Sequence, residues 1–270
     1  LAQVRESQQK LKQPPRYDGR CRALSATEVT DRAARGEQFV IRFKTPKEGV
    51  TTVRDHLRGE ITVENGAIDD YIIVKSDGFA LYHLAAMVDD HLMDITHVFR
   101  GAEWLGTFPL HALILRAFGW PEPVWCHLSV FLKPSGKGKM SKRDATSEQS
   151  IFALELREMG YLPDAINSWT ALMGASFGAD EAVLSMDEMI ARFSLDHLNP
   201  APARVNFEKL DHFNGLYLRQ LPPADLAARL KPHFTKAGLK PDDATLLRIV
   251  PIIQERIVTL DDAVEMAGFF

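Results

Sequence analysis

Residues 95–132 read ITHVFRGAEWLGTFPLHALILRAFGWPEPVWCHLSVFL, and this stretch decides the fold. It opens on Ile95-Thr96-His97-Val98-Phe99, a β-branched and aromatic run that suits a strand. Pro109 then stands in the first turn of a helix. Leu110, Leu113, Ile114, Ala117 and Phe118 follow at helical spacing on one face, and Gly119 and Pro121 end it. Val124 to Leu132 reads as a second strand. Strand, helix and strand make a βαβ unit, so a parallel sheet is expected. The first strand delivers Arg100, Gly101, Glu103 and Trp104 to the carboxyl edge of that sheet, where open parallel sheets bind ligands. A guanidinium there can grip a carboxylate through two parallel hydrogen bonds; a surface ion pair with Glu103 is the plainer use of the same residue.

Directly after this unit comes Lys133, a turn at Pro134-Ser135-Gly136-Lys137-Gly138, and then Lys139-Met140-Ser141-Lys142-Arg143. Five cations fall within eleven residues, and no acid appears between Pro123 and Arg143. In a chain of net charge −4, so local an excess is placed to meet phosphate.

Upstream, the first 75 or so residues read as mixed α and β. Pro14-Pro15-Arg16-Tyr17-Asp18-Gly19 is a link after an opening helix. Ser25-Ala26-Thr27-Glu28 is a capping box for a short helix that stops near Gly36. Phe39 to Phe43, Glu60 to Val63 and Tyr71 to Val74 are strand-like, Ser76-Asp77-Gly78 is a turn, and a helix covers Tyr82 to Asp90. Downstream, helices follow almost exclusively: one capped by Thr146-Ser147-Glu148-Gln149 and reaching Met159, one from Pro163 with Ile166, Trp169, Leu172 and Met173 on one face, then Asp187 to Phe193, Asn206 to Leu218, Ala224 to Phe234 and Asp243 to Val258. The expected organisation is α/β first and all-α second.

Composition agrees with a packed protein. Of 270 residues 46% are apolar and 25% charged, so a packed core is expected and wholesale disorder is not, and the mild acidity argues against coating of nucleic acid by bulk charge while leaving room for a local basic face. Cys21 and Cys126 make no disulfide framework, which fits a reducing compartment such as the cytoplasm, with an organelle as the alternative. No apolar stretch is long enough to span a bilayer, and no signal-peptide pattern is found. Leu1 opens inside a helix-like run and Phe270 closes inside an apolar one, so the chain is expected to be a fragment.

Several short motifs occur in one order: Ser76-Asp77-Gly78, Tyr82-His83-Leu84-Ala85, Val88-Asp89-Asp90-His91-Leu92-Met93, Ile95-Thr96-His97-Val98, Arg100-Gly101-x-Glu103-Trp104-Leu105, Ala117-Phe118-Gly119-Trp120 and the basic loop. Gly160-Tyr161-Leu162-Pro163, Leu172-Met173-Gly174, Phe207-Glu208-Lys209-Leu210 and Asn214-Gly215 follow. Together with Pro14 to Arg22, this set resembles the glutamyl-tRNA synthetases, and the basic loop resembles the KMSK signature of class I aminoacyl-tRNA synthetases. The likeness covers nearly the whole chain.

The resemblance implies a glutamate–tRNA ligase that uses ATP with Mg²⁺, L-glutamate and tRNA(Glu), acts in protein synthesis and is a monomer. It implies that Tyr82 and Arg100 hold glutamate, with His83, Leu84, Ala85 and Ala86 completing the pocket wall. Many relatives carry a polar or bulkier residue where Ala86 stands. Glu103, Leu132, Lys139, Met140, Ser141, Lys142 and Arg143 are implied to lie near ATP, with Lys142 and Lys139 stabilising the phosphate charge that develops in transfer. Arg143 occupies a position where other class I enzymes often have Ser and glutamyl relatives have Arg.

The resemblance also implies a division of the chain. Residues 1–79 correspond to a connective, acceptor-stem-binding segment, 80–145 to the second half of a Rossmann-like catalytic domain, 146–220 to a helical stem-contact region and 221–270 to the start of a helical anticodon-binding domain. The first half, with its His-x-Gly-His-type signature, is not found in these residues. Two other readings use the same residues: a non-catalytic tRNA-binding fragment, and the glutamyl-queuosine-type paralogue that joins glutamate to a modified tRNA base. The helical run to Phe270 speaks against the paralogue, and also against a glutaminyl enzyme, whose tail is β-rich.

No protein-bound metal is expected. His83, Asp89, Asp90, His91, Asp94 and His97 straddle a helix and a strand and point to different faces. Some relatives hold zinc through a Cys in the Tyr-Asp-Gly-x-Cys turn, which here gives Tyr17 and Cys21, but Ala23 stands where a completing His would be. Cys126 reads as a core residue.

Overall fold

The computed structural model describes residues 2–10, 12, 16–141, 144, 150–178 and 183–267. After helix α1 (Ala2–Lys10), Ser25 caps α2 (Ala26–Ala34) by accepting the Glu28 N–H at 3.2 Å. The Glu28 carboxylate pairs with Arg32, one helical turn on, at 2.7 Å, so Ser25 caps this helix by its own side chain alone among the described contacts. Strand β1 (Ile41–Arg42) is followed by the hairpin of β2 (Val50–Asp55) and β3 (Gly59–Glu64), then by β4 (Ile72–Val74), which pairs antiparallel with β1. Helix α3 (Tyr82–Leu92), β5 (His97–Gly101), a 3₁₀ segment at Ala102–Thr107, α4 (Phe108–Phe118) and β6 (Val124–Leu128) complete this half.

The strand order of the main sheet is β3-β2-β6-β5. β2 pairs in parallel with β6 and antiparallel with β3, so the sheet is mixed where a parallel one was expected. The cause is β2 itself, which sequence reading passed over. Its residues alternate strictly, with Thr51, Val53 and Asp55 facing inward and their neighbours outward. Two further boundaries and one buried helix face differ from expectation. The strand expected at 95–99 lies two residues later, so Arg100 is part of β5. The strand expected from Val124 to Leu132 breaks at Ser129-Val130, and its end belongs to another sheet. On α4, Leu110 and Ile114 are buried as expected, but so are Phe108, His111, Ala112 and Leu115, while Ala117 and Phe118 are exposed. The helix packs on α3 and on β2 together, which buries more than a single stripe of its first turns and leaves its last turn outside.

The described residues fall into two compact units, Leu1–His127 and Leu128–Phe270. In the first, Val53, Met87, Phe108, Ile114, Leu115 and Trp125 form the centre of the core. The second begins with β7 (Phe131–Leu132) and continues with α5 (Ala153–Glu158), α6 (Pro163–Gly174), α7 (Met186–Arg192), β8 (Ala203–Arg204), α8 (Phe207–Gln220), α9 (Pro223–Lys236), α10 (Asp243–Ile253) and α11 (Asp262–Ala267). The expected change from α/β to helices is found, interrupted by β8, which pairs in parallel with β7, and the helices expected at 187–193, 206–218 and 224–234 are found to within two residues. The Thr146 to Gln149 cap lies outside the described residues.

The core of the second unit runs through Leu156, Leu162, Trp169, Leu210, Leu218, Leu230, Phe234 and Ile253. Buried Asn214 ties its helices together: its Oδ1 accepts the Leu162 N–H at 2.8 Å and its Nδ2 donates to the Val258 carbonyl at 2.6 Å. The helix expected to run to Val258 ends at Ile253. Pro251 has no N–H to give the preceding turn, and the chain turns directly afterwards.

Candidate active site

Within the first unit, β5, α4 and β6 bring Arg100 beside two histidines, His111 and His127, that sequence reading did not single out. Arg100 Nε donates to His127 Nε2 at 2.9 Å, and Nη1 lies 2.7 Å from His111 Nδ1. Behind His127, Asp55 at the end of β2 lies 2.6 Å from Nδ1, and both side chains are fully buried. Asp55 also accepts the backbone N–H groups of Leu57, Arg58 and His127, so its carboxylate is held on every side. His83 Nδ1 in turn lies 2.8 Å from His111 Nε2. The guanidinium carbon sits 4.7 Å from the centre of the Trp125 ring.

One guanidinium nitrogen is left over. Arg100 Nη2 is buried and, among the described residues, has no partner at hydrogen-bond distance, although the Tyr82 hydroxyl is near enough to favour the charged guanidinium. An unpaired buried donor on a cation is costly, and a bound anion would satisfy it. Burial pushes the Arg100 guanidinium below its ordinary range, while the Tyr82 phenol and the Asp90 and Asp55 carboxylates favour its charged form. Burial followed by the Arg100 charge lowers His83. The same two causes, joined by His83 and His127, push His111 down to about 3. Burial and Arg100 also lower His127 against the opposing pull of Asp55. All three imidazoles are therefore neutral at neutral pH.

The other residues expected at the glutamate pocket divide between two environments. Tyr82 is half exposed, with its ring centre 4.8 Å from that of Trp104 and 6.0 Å from that of His111, so it stands with Arg100. Leu84 and Ala86 pack against the core, and Ala85 is partly buried. Glu103 lies in the 3₁₀ segment after β5, and its carboxylate folds over Gly101, where a Cβ would come within 2.0 Å of Oε2. Because the atoms in the way are the far end of an exposed, flexible side chain, a swing of Glu103 would make room for a Cβ at 101.

Within the second unit, β7 turns back on itself to form the basic loop. Lys133 N–H donates to the Gly138 carbonyl at 3.1 Å, Met140 N–H to the Phe131 carbonyl at 2.7 Å, and Leu132 pairs antiparallel with Lys139. Gly136 and Gly138 supply the positive φ angles, 76° and 81°, that this turn needs. Lys139 is exposed, whereas Met140 is 6% exposed and belongs to the helical core. The Leu132 carbonyl is engaged by the Val205 N–H. Asp144 accepts from Lys133 Nζ at 2.5 Å and from the N–H and hydroxyl of Ser141 at 2.9 and 2.6 Å. These contacts hold its carboxyl at about 2. Lys142 and Arg143 lie outside the described residues.

Among the described residues no three His, Cys, Asp or Glu side chains are grouped to hold a metal ion. Cys21 is an exposed thiol whose N–H donates to the Tyr17 hydroxyl at 2.8 Å, and Cys126 is buried in β6. His91 stacks on Trp120 at 4.2 Å. No helix among the described residues is long and apolar enough to cross a membrane.

Residues 1–212 match the family described as tRNA synthetases class I (E and Q), catalytic domain, and the chain belongs to that family. Its relatives include the glutamate–tRNA ligase of Chloroflexus aurantiacus, 43% identical over 89% of this chain and 48% of that protein. The glutamate–tRNA ligase of Treponema pallidum is 39% identical over all of this chain and 55% of its own length. A crystal structure of the glutamate tRNA ligase from Elizabethkingia meningosepticum in complex with its amino acid superposes with a TM-score of 0.89 at 33% identity, over 99% of this chain and 57% of that one. The chain spans about half the length of the curated relatives it matches.

Proposed function

We propose that this chain is the part of a glutamate–tRNA ligase that grips the amino acid and closes on the phosphates of ATP. Glutamate is activated when its α-carboxylate attacks the α-phosphorus of magnesium-bound ATP, forming glutamyl-adenylate and releasing pyrophosphate. The terminal ribose of tRNA(Glu) then takes the glutamyl group. Arg100 and Tyr82 bind the substrate carboxylate, with His83, Leu84, Ala85 and Ala86 forming the adjoining wall. Glu103, Leu132 and the loop Lys139, Met140, Ser141, Lys142 and Arg143 serve ATP, and Lys142 and Lys139 offset charge on the departing pyrophosphate. Residues 1–79 and 146–220 contact the tRNA stem, 80–145 hold the catalytic half and 221–270 begin the anticodon-binding part. The protein works as a cytoplasmic monomer without zinc.

The observation that carries this reading is the buried Arg100 Nη2, which has no partner at hydrogen-bond distance among the described residues. Carboxylates and phosphates are the ligands that a planar cationic donor suits, and of the proposed substrates glutamate supplies the first. The relatives named as glutamate–tRNA ligases lend support to the choice of amino acid. The test is charging of tRNA by the full-length gene product with labelled L-glutamate. ATP-dependent transfer with L-glutamate and none with L-glutamine supports the ligase. Binding of tRNA without ATP-dependent charging establishes the non-catalytic alternative.

A further inference from the structure

We propose that His127 and His111 are positioning residues that aim Arg100 at its carboxylate ligand, and that Asp55 fixes His127 in the one tautomer that can do so. The inference rests on the reading of Arg100 as the substrate-gripping cation and adds the residues that make it directional.

The argument follows from what an arginine can do. A guanidinium only donates. His127 Nε2, 2.9 Å from Arg100 Nε, must therefore be the bare, accepting nitrogen, which puts the His127 proton on Nδ1. That nitrogen faces Asp55 Oδ2 at 2.6 Å, and a carboxylate accepts it. His111 Nδ1, 2.7 Å from Arg100 Nη1, must likewise accept, so His111 carries its proton on Nε2. This proton points to His83 Nδ1 at 2.8 Å, which leaves the His83 proton on its own Nε2. Every tautomer in the group is set by one fact, the charge of Arg100.

Two of the three guanidinium nitrogens are thereby pinned by rings that cannot turn without losing a partner, and the third is left buried and open. Trp125 supports one face of the guanidinium. A ligand carboxylate then meets a preoriented donor and need not order a flexible side chain, which is how precise sites raise selectivity. The arrangement parallels metal sites, where an outer carboxylate fixes the tautomer of a histidine ligand. Here the held group is a guanidinium.

The test is nuclear magnetic resonance on the full-length gene product labelled with ¹⁵N at arginine and histidine. We expect His127 as the Nδ1–H tautomer, His111 and His83 as Nε2–H tautomers, and a sharp, slowly exchanging Arg100 Nε–H at neutral pH. His127→Gln retains an acceptor and should keep that Arg100 signal, whereas His127→Leu should lose it to solvent exchange. His127 found protonated on Nε2, or an Arg100 signal unchanged in His127→Leu, overturns the proposal. Should His127→Leu not fold, the tautomers of the unaltered chain decide alone. Addition of L-glutamate to the same sample separates the two readings. If the tautomers are as stated and L-glutamate leaves the Arg100 resonances in place, the positioning stands and the choice of glutamate fails.

Discussion

His127 Nδ1 lies 2.6 Å from Asp55 Oδ2, and neither side chain reaches solvent. The contact joins the end of β2 to its parallel neighbour β6, so one carboxylate supports both the sheet and the residue behind Arg100. Asp55→Ala would strand three backbone N–H groups and the His127 Nδ1–H. The expected loss is about 3–5 kcal/mol of folding stability, the cost of removing one partner from a buried polar cluster. Urea unfolding measures it, and a loss under about 1 kcal/mol would show that the cluster relaxes freely.

Acid should weaken the same region in a defined window. His111 titrates near 6.5 when unfolded and at about 3 when folded, because burial and Arg100 disfavour its cation. Between those values the unfolded chain binds more protons, so stability rises with pH through the window and levels off above it. His83 and His127 are lowered too and act with the same sign. His111→Gln should therefore give a shallower loss of stability on acidification below pH 6.5 than the unaltered chain. Equal slopes in thermal melts across that range would remove His111 as a contributor.

Two glycines with similar backbone angles should respond differently to alanine. Gly160 has φ +86°, and a Cβ there would meet the Leu260 and Asp261 backbone nitrogens at 2.6 and 2.8 Å. Gly119 has φ +68° with open space around it. Gly119→Ala should cost about 1 kcal/mol, the penalty of the left-handed conformation alone. Gly160→Ala adds a clash with backbone that cannot swing away, and its midpoint in chemical denaturation should fall well below that of Gly119→Ala. The reverse order would contradict the packing of the second unit.

The basic loop yields a local prediction. Asp144 accepts from both polar groups of Ser141 and from Lys133. Asp144→Ala should leave the fold intact and speed hydrogen exchange at the Ser141 amide by roughly tenfold or more, a bond of about 1.5–3 kcal/mol to a charged acceptor having been removed. An unchanged rate would mean that another group protects this amide.

The sequence announced the order of the fold and missed its hinge points, for physical reasons visible in particular residues. The helix after Pro109 and the glycine at 119 were legible because local spacing and capping set them. β2 was not: Val50-Thr51-Thr52-Val53-Arg54-Asp55 carries two charges, and its inward face is known only once β3 and β6 pair with it. The alternation of Thr51, Val53 and Asp55 was the available signal. Arg100 was found from its place after a strand, but its partners His111 and His127 come from a helix and a strand that local patterns cannot bring together. Met140 sits in a run of cations and is nonetheless buried, because the loop turns that side chain into the helical core.

The most direct measurement is ATP–pyrophosphate exchange by the full-length gene product, with L-glutamate and tRNA(Glu) present, comparing the unaltered protein with Arg100→Ala. Loss of a charged carboxylate contact of about 2–4 kcal/mol predicts a glutamate KM raised by roughly 30-fold or more, or exchange below detection. Exchange by Arg100→Ala with the glutamate KM of the unaltered protein would contradict the assignment of Arg100 as the residue that holds the amino acid.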